Sequence, residues 1–451
     1  MLLLLSLCFP PQQRFVDAAP NYWACTTPEE QAYLHCNTSF SHEQRLQHLL
    51  DLLTLPEKIQ LLSPDPSERL CSTHTPEIPH KLPPYMWLVE VNTVVKAACI
   101  SPHQCSTQFS GPLTMGASFN RTLWRLKGRV LGTEQRAYVN IGWKRRDVNS
   151  TDLIGLTAFG PNINQPRDPR NGRTSELVGE DPYATGQYAI HMLQGLQTLD
   201  PHQGSPLVLA YLKHFVAYSR EANRGGDDYQ ISLYDLHDTY LPAFLHAAPY
   251  ATGVMCSYNA VHGRPMCANA KLLHVLKQVN PDLHVTTDCG AVSDLRRSPA
   301  YAPDALTAAV WALRNGSDLE MGSTYYGNHL REAVEELGLV TEEEIDGAVQ
   351  RGYLPHFSVG RFDPWEESEW SKFNLSDVNS TYHQRVAHEG ALQGLVLLKN
   401  EGHVLPLDYR TTRVAVVGPL GVTRAGLMSD YENDESCFGG GAQGGGRGGV
   451  L

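Results

Sequence analysis

The chain has 451 residues, of which 42% are hydrophobic and 19% are charged, a composition typical of a globular protein with a large core. Its formal net charge is −12 and its basic residues are scattered. A nucleic-acid partner is therefore not expected, because phosphate binding needs a clustered basic face. No apolar run reaches the roughly 18 residues of a membrane-spanning helix, so no membrane partner is expected either.

Residues 1–18 are predicted to be a signal peptide with a short apolar core, cleaved near Ala18 or Ala19. The usual basic start is missing, so a wrongly assigned chain start stays open as the alternative. Six Asn-X-Ser/Thr sequons favour a secreted glycoprotein. They are Asn37, Asn120, Asn149, Asn315, Asn374 and Asn379.

Ten cysteines agree with an oxidising compartment. Cys25 with Cys36, and Cys99 with Cys105, are close enough in sequence for local disulfide loops, although sequence does not fix the pairing. No CxxC pair occurs, so the spacing predicts no zinc site, and every cysteine is interpreted as structural. No cofactor is expected.

Short apolar runs alternate with longer amphipathic stretches, the pattern of parallel βαβ units. The predicted strands are Leu113–Met115, Ile154–Phe159, Pro206–Leu212, Gly253–Ser257, His284–Thr287 and Asp318–Met321. The predicted helices include Arg121–Asn140, Ala184–Leu199, Leu233–Ala248, Ala268–Val279 and Pro303–Asn315.

Polar residues follow four of these strands. They are Asn162 and Asn164, Lys213 and His214, Tyr258 and Asn259, and Asp288. A (β/α)8 TIM-type barrel collects its active site at the carboxyl ends of several strands, which makes it the favoured α/β fold. An open doubly wound sheet also binds ligands at strand ends, so this alternative stays open.

The domain prediction places the barrel at residues 19–364 and a linker with a helix at residues 365–412. Residues 413–436 are interpreted as the start of a second α/β domain that is cut short. Within them, Val414–Val417 is predicted to be a buried parallel strand, poorly anchored without its neighbours. Residues 437–451 are glycine-rich and predicted to be disordered.

Several short motifs occur in order between residues 20 and 430. They are Pro161-Asn-Ile-Asn164, Arg167-Asp-Pro-Arg170, Gly172-Arg173, Glu176, Gly179-Glu-Asp-Pro182, Lys213-His-Phe215, Met255-Cys-Ser-Tyr-Asn259, Thr286-Thr-Asp-Cys289, Gly360-Arg-Phe-Asp-Pro364 and Val396-Leu-Leu-Lys-Asn400. Together these motifs resemble glycoside hydrolase family 3, in particular its β-xylosidase branch. The resemblance implies a barrel followed by an α/β sandwich domain and a secreted enzyme that hydrolyses xylan-type carbohydrates. It implies β-D-xylosidase activity, with α-L-arabinofuranosidase activity as a further expectation.

The resemblance assigns Asp288 as the nucleophile of a retaining reaction, against the alternative that it caps a helix. Lys213, His214 and Arg173 are expected to hold sugar hydroxyls. For Lys213 the alternative is a partly buried ion pair, and for His214 a satisfied core histidine. Tyr258 contacts the sugar or the nucleophile, or only packs.

Glu90 is a further candidate sugar ligand, because the xylosidase branch has a glutamate in a similar aromatic segment. Here Val91-Asn-Thr-Val94 replaces the residues that follow it in the family, and Asn171 stands where the family usually has Trp. We expect ion pairs within the loop to hold it together, formed by Arg167, Asp168 and Arg170.

The family takes its general acid/base from the second domain, so the resemblance implies that the acid/base is absent here and that turnover is impaired. Two other functions stay open. One is a carbohydrate-binding protein without catalysis, and the other is a truncated product without function.

Overall fold

A computed structural model describes residues 22–65, 74–97, 99, 105–142, 154–297 and 301–418. The predicted signal peptide at 1–18, the tail at 437–451 and the sequon at Asn149 lie outside these residues, as does most of 413–436. The described helices include none that is long and apolar enough to cross a membrane.

A parallel four-stranded sheet in the order β3-β4-β6-β9 forms the centre of the fold. Its strands are β3 (Thr157–Asn162), β4 (Leu209–Phe215), β6 (Gly253–Cys256) and β9 (His284–Thr287). Every residue of the four strands is buried, as expected for parallel strands covered on both faces. The predicted α/β class and parallel sheet are confirmed.

Backbone hydrogen bonds extend this sheet on both sides. On one side, Phe159 N donates to Val89 O at 2.8 Å. On the other, Thr287 N donates to Leu319 O at 2.9 Å, and Glu320 N donates to Leu62 O at 3.0 Å. Of the predicted strand Asp318–Met321, only a parallel bridge between Leu319 and Thr286 forms.

Two small sheets complete the strands of the described chain. One is the antiparallel pair β1-β2, and the other is a three-stranded sheet in the order β5-β7-β8. Their bounds are β1 His74–Thr75, β2 Tyr85–Met86, β5 Asp228–Tyr229, β7 Ala260–Val261 and β8 Arg264–Pro265.

Helices alternate with the central strands and cover the sheet. Their bounds are α1 His42–Leu52, α2 Leu55–Gln60, α3 Pro112–Ala117, α4 Arg121–Asn140, α5 Pro182–Leu196, α6 Leu233–Asp235, α7 Pro242–Ala247, α8 Ala270–Val279, α9 Ala291–Asp294, α10 Ala305–Arg314, α11 Tyr325–Glu335, α12 Glu342–Ser358 and α13 Thr381–Gln393.

Local sequence explains where several helices begin. Ser41 and Gln44 form a capping box at α1, and Thr341 and Glu344 form another at α12. At α5, the Asp181 carboxylate accepts from two backbone amides and Pro182 occupies the first helical position. These side chains satisfy amides that have no partner within the helix.

The helices α4 and α5 pack closely because glycines lie at their contact. A Cβ atom at Gly128 would lie 2.1 Å from Met192 O, and one at Gly195 would lie 2.1 Å from Arg125 O. Larger residues at either position would therefore push the two helices apart.

Three local predictions were wrong or incomplete. Residues Leu113–Met115 lie inside α3, which begins after Gly111 with Pro112 at its first position. Residues Val414–Val417 form no strand, and Val417 is 87% exposed rather than buried. The predicted helix Leu233–Ala248 is interrupted by a π-helix at Leu236–Tyr240.

Three disulfides link cysteines that are near each other in sequence. They are Cys25–Cys36, Cys99–Cys105 and Cys256–Cys267. Cys289 is disulfide-bonded as well. The structural interpretation of these cysteines is therefore confirmed for the described residues.

Candidate active site

The carboxyl ends of three neighbouring strands bring four of the predicted residues together. Lys213 and His214 are near the end of β4, Tyr258 follows β6, and Asp288 directly follows β9. All four side chains are buried, with exposures between 0 and 8%. Because the carboxyl ends of parallel strands lie at one edge of the sheet, these side chains lie close together at that edge.

The two carboxylate oxygens of Asp288 differ in their hydrogen bonding. Oδ1 accepts from Cys289 N at 2.7 Å, whereas the buried Oδ2 accepts no well-formed hydrogen bond from the described residues. A weaker interaction with the Tyr258 hydroxyl acts to lower the pKa of the carboxyl. The N-cap of α9 is Gly290, so Asp288 does not cap that helix. Burial raises the pKa of Asp288, while the positive charge of Arg173 opposes this rise.

His214 faces the Oδ2 atom of Asp288. Its Nε2 lies 3.5 Å from Asp288 Oδ2, and its backbone is held by Asn164, which accepts from His214 N at 2.9 Å and donates to His214 O at 2.7 Å. Burial, together with the charges of Arg173 and Lys213, lowers the pKa of His214 well below its usual range. The imidazole is therefore neutral around pH 7 and offers one N–H donor.

Lys213 forms an ion pair with Glu90. Lys213 is completely buried and Glu90 is 8% exposed. The segment of Glu90 is held beside β3 by a parallel bridge to Phe159. The ion pair foreseen as the alternative role of Lys213 therefore exists, and its partner is the candidate Glu90.

Arg173 is fixed by a bidentate ion pair with Glu176. Its Nε lies 2.6 Å from Oε1 and its Nη2 lies 2.7 Å from Oε2. Asn162 Nδ2 donates to Glu176 Oε2 at 3.2 Å. Burial alone would raise the pKa of Glu176, but the charge of Arg173 outweighs it and the pKa is lowered. The contact thus fixes the plane of the Arg173 guanidinium, a group whose N–H donors can bind two oxygen acceptors at once.

The sequence prediction missed residues in the loop that follows β4. The Arg224 guanidinium lies 4.2 Å from the ring centroid of Tyr258, and its Nη1 donates to Glu221 at 2.9 Å. Tyr218 contacts Glu221 and lies edge-on to His214. The available signal was the position of this polar loop directly after the Lys213–His214 strand.

Tyr258 lies between this loop and Asp288. Burial and the nearby Asp288 carboxylate raise the pKa of Tyr258, so its hydroxyl keeps its proton. Its ring meets that of Tyr218 edge-on, with centroids 6.1 Å apart. Tyr258 therefore packs and also keeps a proton donor near the nucleophile candidate.

The loop that follows β3 carries the charged residues Arg167, Asp168 and Arg170, which pair with partners other than the site residues. Asp168 pairs with Arg170 at 2.7 Å on the surface, and Arg167 donates to Thr239 Oγ1 at 3.3 Å. Asp168 and Arg170 thus stabilise the loop internally, as expected. For Arg167 the expectation was wrong, because its guanidinium contacts Thr239 outside the loop.

Glu320 is a buried carboxyl on the segment next to β9, but its oxygens are occupied. Tyr325 N donates to Oε1 at 3.0 Å and Tyr326 N donates to Oε2 at 2.6 Å. Burial raises its pKa to about 7. Glu320 therefore holds the start of α11 rather than contributing to the site.

The chain is similar to known proteins over most of its length. The glycosyl hydrolase family 3 N-terminal domain matches residues 103–352, which is more than half of the chain. The probable exo-1,4-beta-xylosidase bxlB of Aspergillus clavatus is 34% identical over 427 residues, covering 90% of this chain and 52% of that protein. The exo-1,4-beta-xylosidase bxlB of Emericella nidulans is 34% identical over 449 residues, covering 95% and 55%.

Solved structures are similar as well. A GH3 exo-beta-xylosidase, XlnD, in complex with a xylobiose aziridine activity-based probe superposes with a TM-score of 0.76 at 29% identity. The match covers 87% of this chain and 50% of that one. A beta-glucosidase from Listeria innocua in complex with isofagomine gives a TM-score of 0.65 at 26% identity, covering 81% and 53%. The chain spans about half the length of the curated relatives it matches.

Proposed function

The chain belongs to glycosyl hydrolase family 3, and from that membership we propose that it is a retaining exo-glycosidase acting on β-D-xylosides. The observation that carries the proposal is Asp288, a buried carboxylate at a strand end with one oxygen that accepts no well-formed hydrogen bond from the described residues. The names of the relatives, exo-1,4-beta-xylosidases, support the xyloside as substrate.

In the proposed reaction, Asp288 Oδ2 attacks the anomeric carbon of the terminal sugar. The bond from that carbon to the leaving oxygen breaks, the leaving oxygen takes a proton, and a glycosyl ester of Asp288 forms. Water then cleaves this ester and releases the sugar with its configuration retained. Asp288 must be ionised for the first step, which the positive charges of Arg173 and Lys213 favour.

The donors around Asp288 would bind the ring hydroxyls of the sugar. Arg173 is held in position by Glu176, Lys213 by Glu90 and His214 by Asn164. Groups fixed in this way lose little freedom when a sugar binds. The Glu90 carboxylate would accept a hydrogen bond from a hydroxyl of the same sugar, and the Tyr258 hydroxyl would donate one to it.

The proton donor for the leaving oxygen is proposed to lie outside the described residues, as the family resemblance implies. Impaired turnover of this chain stays a prediction. Loss of general acid catalysis costs about 10²–10⁴ in rate, and substrates with good leaving groups suffer least. Aryl xylosides are therefore the appropriate substrates for testing Asp288.

A 2-fluoro-xyloside with an activated leaving group tests the proposal. Incubation should add one fluoroxylosyl group to the intact mass of the chain, and peptide mapping should place it on Asp288. Asp288→Asn should abolish both labelling and hydrolysis of an activated aryl xyloside. Labelling at another residue, or unchanged hydrolysis by Asp288→Asn, would contradict the assignment of the nucleophile.

A carbohydrate-binding role without turnover is the second candidate. The observation that favours it is the set of preformed pairs Arg173–Glu176 and Lys213–Glu90, which can bind hydroxyls without any reaction. Calorimetric binding of xylose without labelling by the fluoroxyloside would select this role.

Further expectations are part of the same proposal. Hydrolysis of α-L-arabinofuranosides is tested with the matching aryl glycoside. Secretion is supported by the disulfides and the sequons.

Closure of the sheet into a TIM-type barrel is part of the proposal as well. It is supported by the backbone hydrogen bonds that link Leu62 to Glu320 and Asp65 to His74.

A further inference from the structure

Asn37 belongs to a sequon whose side-chain amide faces no competing contact. It opens the sequence Asn37-Thr38-Ser39, and all three residues are exposed. Asn37 Oδ1 accepts from Ser39 N at 3.0 Å, which holds the turn, whereas Asn37 Nδ2 has no acceptor among the described residues. Glycosylated asparagines lie in surface loops, and this turn provides such a position.

Two other sequons use their amide within the fold. Asn120 Nδ2 donates to Gln393 Oε1 at 2.8 Å, and Asn374 Nδ2 donates to Lys372 O at 3.2 Å. A glycan replaces one of the two hydrogens on Nδ2, so it competes with such contacts. Asn37 therefore accepts a glycan without losing a hydrogen bond to the described chain.

A cavity of about 710 Å³ lies beside this sequon. Cys36 and Thr38, the neighbours of Asn37 in sequence, both line it, as do Trp365 and Glu366. Binding pockets for small molecules usually have volumes of about 300–1,000 Å³. A glycan on Asn37 therefore starts at the rim of a space large enough for its first sugars.

The lining has the chemistry that a neutral pyranose ring needs. Trp23 and Trp365 supply aromatic surface, while Gln31, Asp363 and Glu366 supply polar atoms. No lysine, arginine or histidine is among the described lining residues, so the cavity does not favour anions. Carboxylates and amides bond hydroxyls, and an indole ring offers apolar area to the C–H groups of a sugar.

The walls of the cavity are fixed before any ligand binds. The disulfide Cys25–Cys36 ties the residue before Asn37 to the opposite wall. Trp23 Nε1 donates to Asp363 O at 2.9 Å, and Arg45 pairs with Asp363 Oδ1 at 2.6 Å. A preformed pocket loses little freedom when a ligand enters it.

We propose that Asn37 carries an N-linked glycan whose first N-acetylglucosamine lies in this cavity against Trp365. In the transfer step, Asn37 Nδ2 attacks the anomeric carbon of an oligosaccharide linked to a polyisoprenyl diphosphate. The bond from that carbon to the diphosphate oxygen breaks, the lipid diphosphate leaves, and Nδ2 gives up one proton. The proposal rests on the secretion proposed above and on no residue around Asp288.

A glycan in this position links two parts of the chain that are far apart in sequence. One is the turn at residues 37–39, and the other is the segment 362–366 after α12. A sugar that contacts the folded state but not the unfolded chain stabilises the fold. Because the covalent tether keeps the sugar at a high effective concentration, weak contacts suffice.

Glycopeptide mapping of the full chain, secreted from eukaryotic cells, tests the modification. The peptide that contains Asn37 should carry a glycan. Ser39→Ala, which destroys the sequon but keeps Asn37, should remove it, and Ser39→Thr should retain it. An unmodified Asn37 in a chain that is glycosylated at other sequons would overturn the proposal. A chain without a glycan at any sequon would overturn it together with the proposed secretion.

A double-mutant cycle tests the contact with the cavity. An endoglycosidase trims every glycan to a single N-acetylglucosamine, and thermal unfolding is measured for the wild type, Ser39→Ala, Trp365→Ala and their combination. Ser39→Ala should lower the unfolding temperature of the wild-type chain by about 1–2 °C but leave that of Trp365→Ala unchanged. The control Ser376→Ala removes the sequon at Asn374 and should have the same effect with and without Trp365.

Two results of the cycle would overturn the proposed contact. One is an effect of Ser39→Ala that is equal in the presence and absence of Trp365. The other is no effect of Ser39→Ala on a wild-type chain that is fully modified at Asn37. If Trp365→Ala does not fold, Gln31→Ala/Glu366→Ala takes its place in the same cycle, because it removes polar atoms of the lining.

Discussion

Asp288 Oδ2 lies 3.5 Å from His214 Nε2, and both side chains are almost completely buried. The lowered pKa of His214 keeps its imidazole neutral, so the contact is not a charge pair. Lys213 and Arg173 are each matched by their own acid, Glu90 and Glu176. Burial raises the pKa of Asp288, and the positive charges of Arg173 and Lys213 oppose this rise without cancelling it.

The first prediction concerns pH. A raised pKa keeps Asp288 protonated up to a higher pH, so kcat/KM for an activated aryl xyloside should fall as pH decreases through a value above the usual Asp pKa of about 3.9. Arg173 opposes this rise, so Arg173→Gln should move the acid limb to higher pH. The control Arg170→Gln, on the exposed loop, should leave it unmoved; a shift of the Arg173→Gln limb to lower pH would contradict the electrostatic account.

The second prediction concerns sugar binding. His214→Ala and Lys213→Ala should each weaken xylose binding by more than tenfold, because hydrogen bonds to charged groups and buried hydroxyls left unpaired are worth about 1.5–3 kcal/mol. Isothermal calorimetry measures this directly. His274→Ala, on the exposed side of α8, is the control. Unchanged xylose affinity in both site variants would show that the two residues are structural only.

The sequence predicted the central strands and the residues at their ends, because buried parallel strands and the polar residues that follow them leave a local pattern. It placed Asp288, Lys213 and His214 correctly at one edge of the sheet. It did not predict Tyr218 or Arg224. The position of their loop after the Lys213–His214 strand marks the loop as a whole, but a loop without periodicity does not show which of its side chains face the site.

Other parts of the fold depend on context that sequence patterns do not contain. Leu113–Met115 is too short to distinguish strand from helix by periodicity, and Pro112 favours the helix that forms. Val414–Val417 has the composition of a buried strand, but no described segment pairs with it or covers it.

The third prediction concerns the buried ion pair. Lys213→Met leaves the Glu90 carboxylate buried beside β3 without its partner, which typically costs about 3–5 kcal/mol in the free energy of unfolding. The double variant Lys213→Met/Glu90→Gln removes both charges and should recover a large part of that loss. Urea denaturation of the four members of this cycle measures the coupling. Additive losses would show that the pair contributes no coupling energy.

The fourth prediction concerns the contact between α4 and α5. Gly195→Ala would place a Cβ 2.1 Å from Arg125 O, so the helices must separate and stability should fall by about 1–3 kcal/mol. Gly179→Ala is the matched control, since no atom lies within 4 Å of its added Cβ. Thermal unfolding of the two variants decides the point. Equal unfolding temperatures would mean that the close helix contact does not limit residue size.

The fifth prediction concerns the apolar residues that follow α13. Leu395, Leu398 and Val417 are 76, 90 and 87% exposed, and they belong to a run of exposed aliphatic side chains between residues 395 and 417. Exposed apolar segments with strand-forming composition promote association between chains. The chain should therefore self-associate as its concentration rises, which sedimentation velocity measures.

Replacing two of these side chains tests whether the segment is the cause. Leu398→Lys/Val417→Lys should reduce self-association, because each lysine replaces exposed apolar surface by a charge that opposes edge-to-edge pairing. Leu233→Lys/Tyr234→Lys is the matched control, because Leu233 and Tyr234 are 72 and 75% exposed and lie outside residues 395–417. If this control reduces self-association as much as Leu398→Lys/Val417→Lys does, net charge and not this segment governs the association.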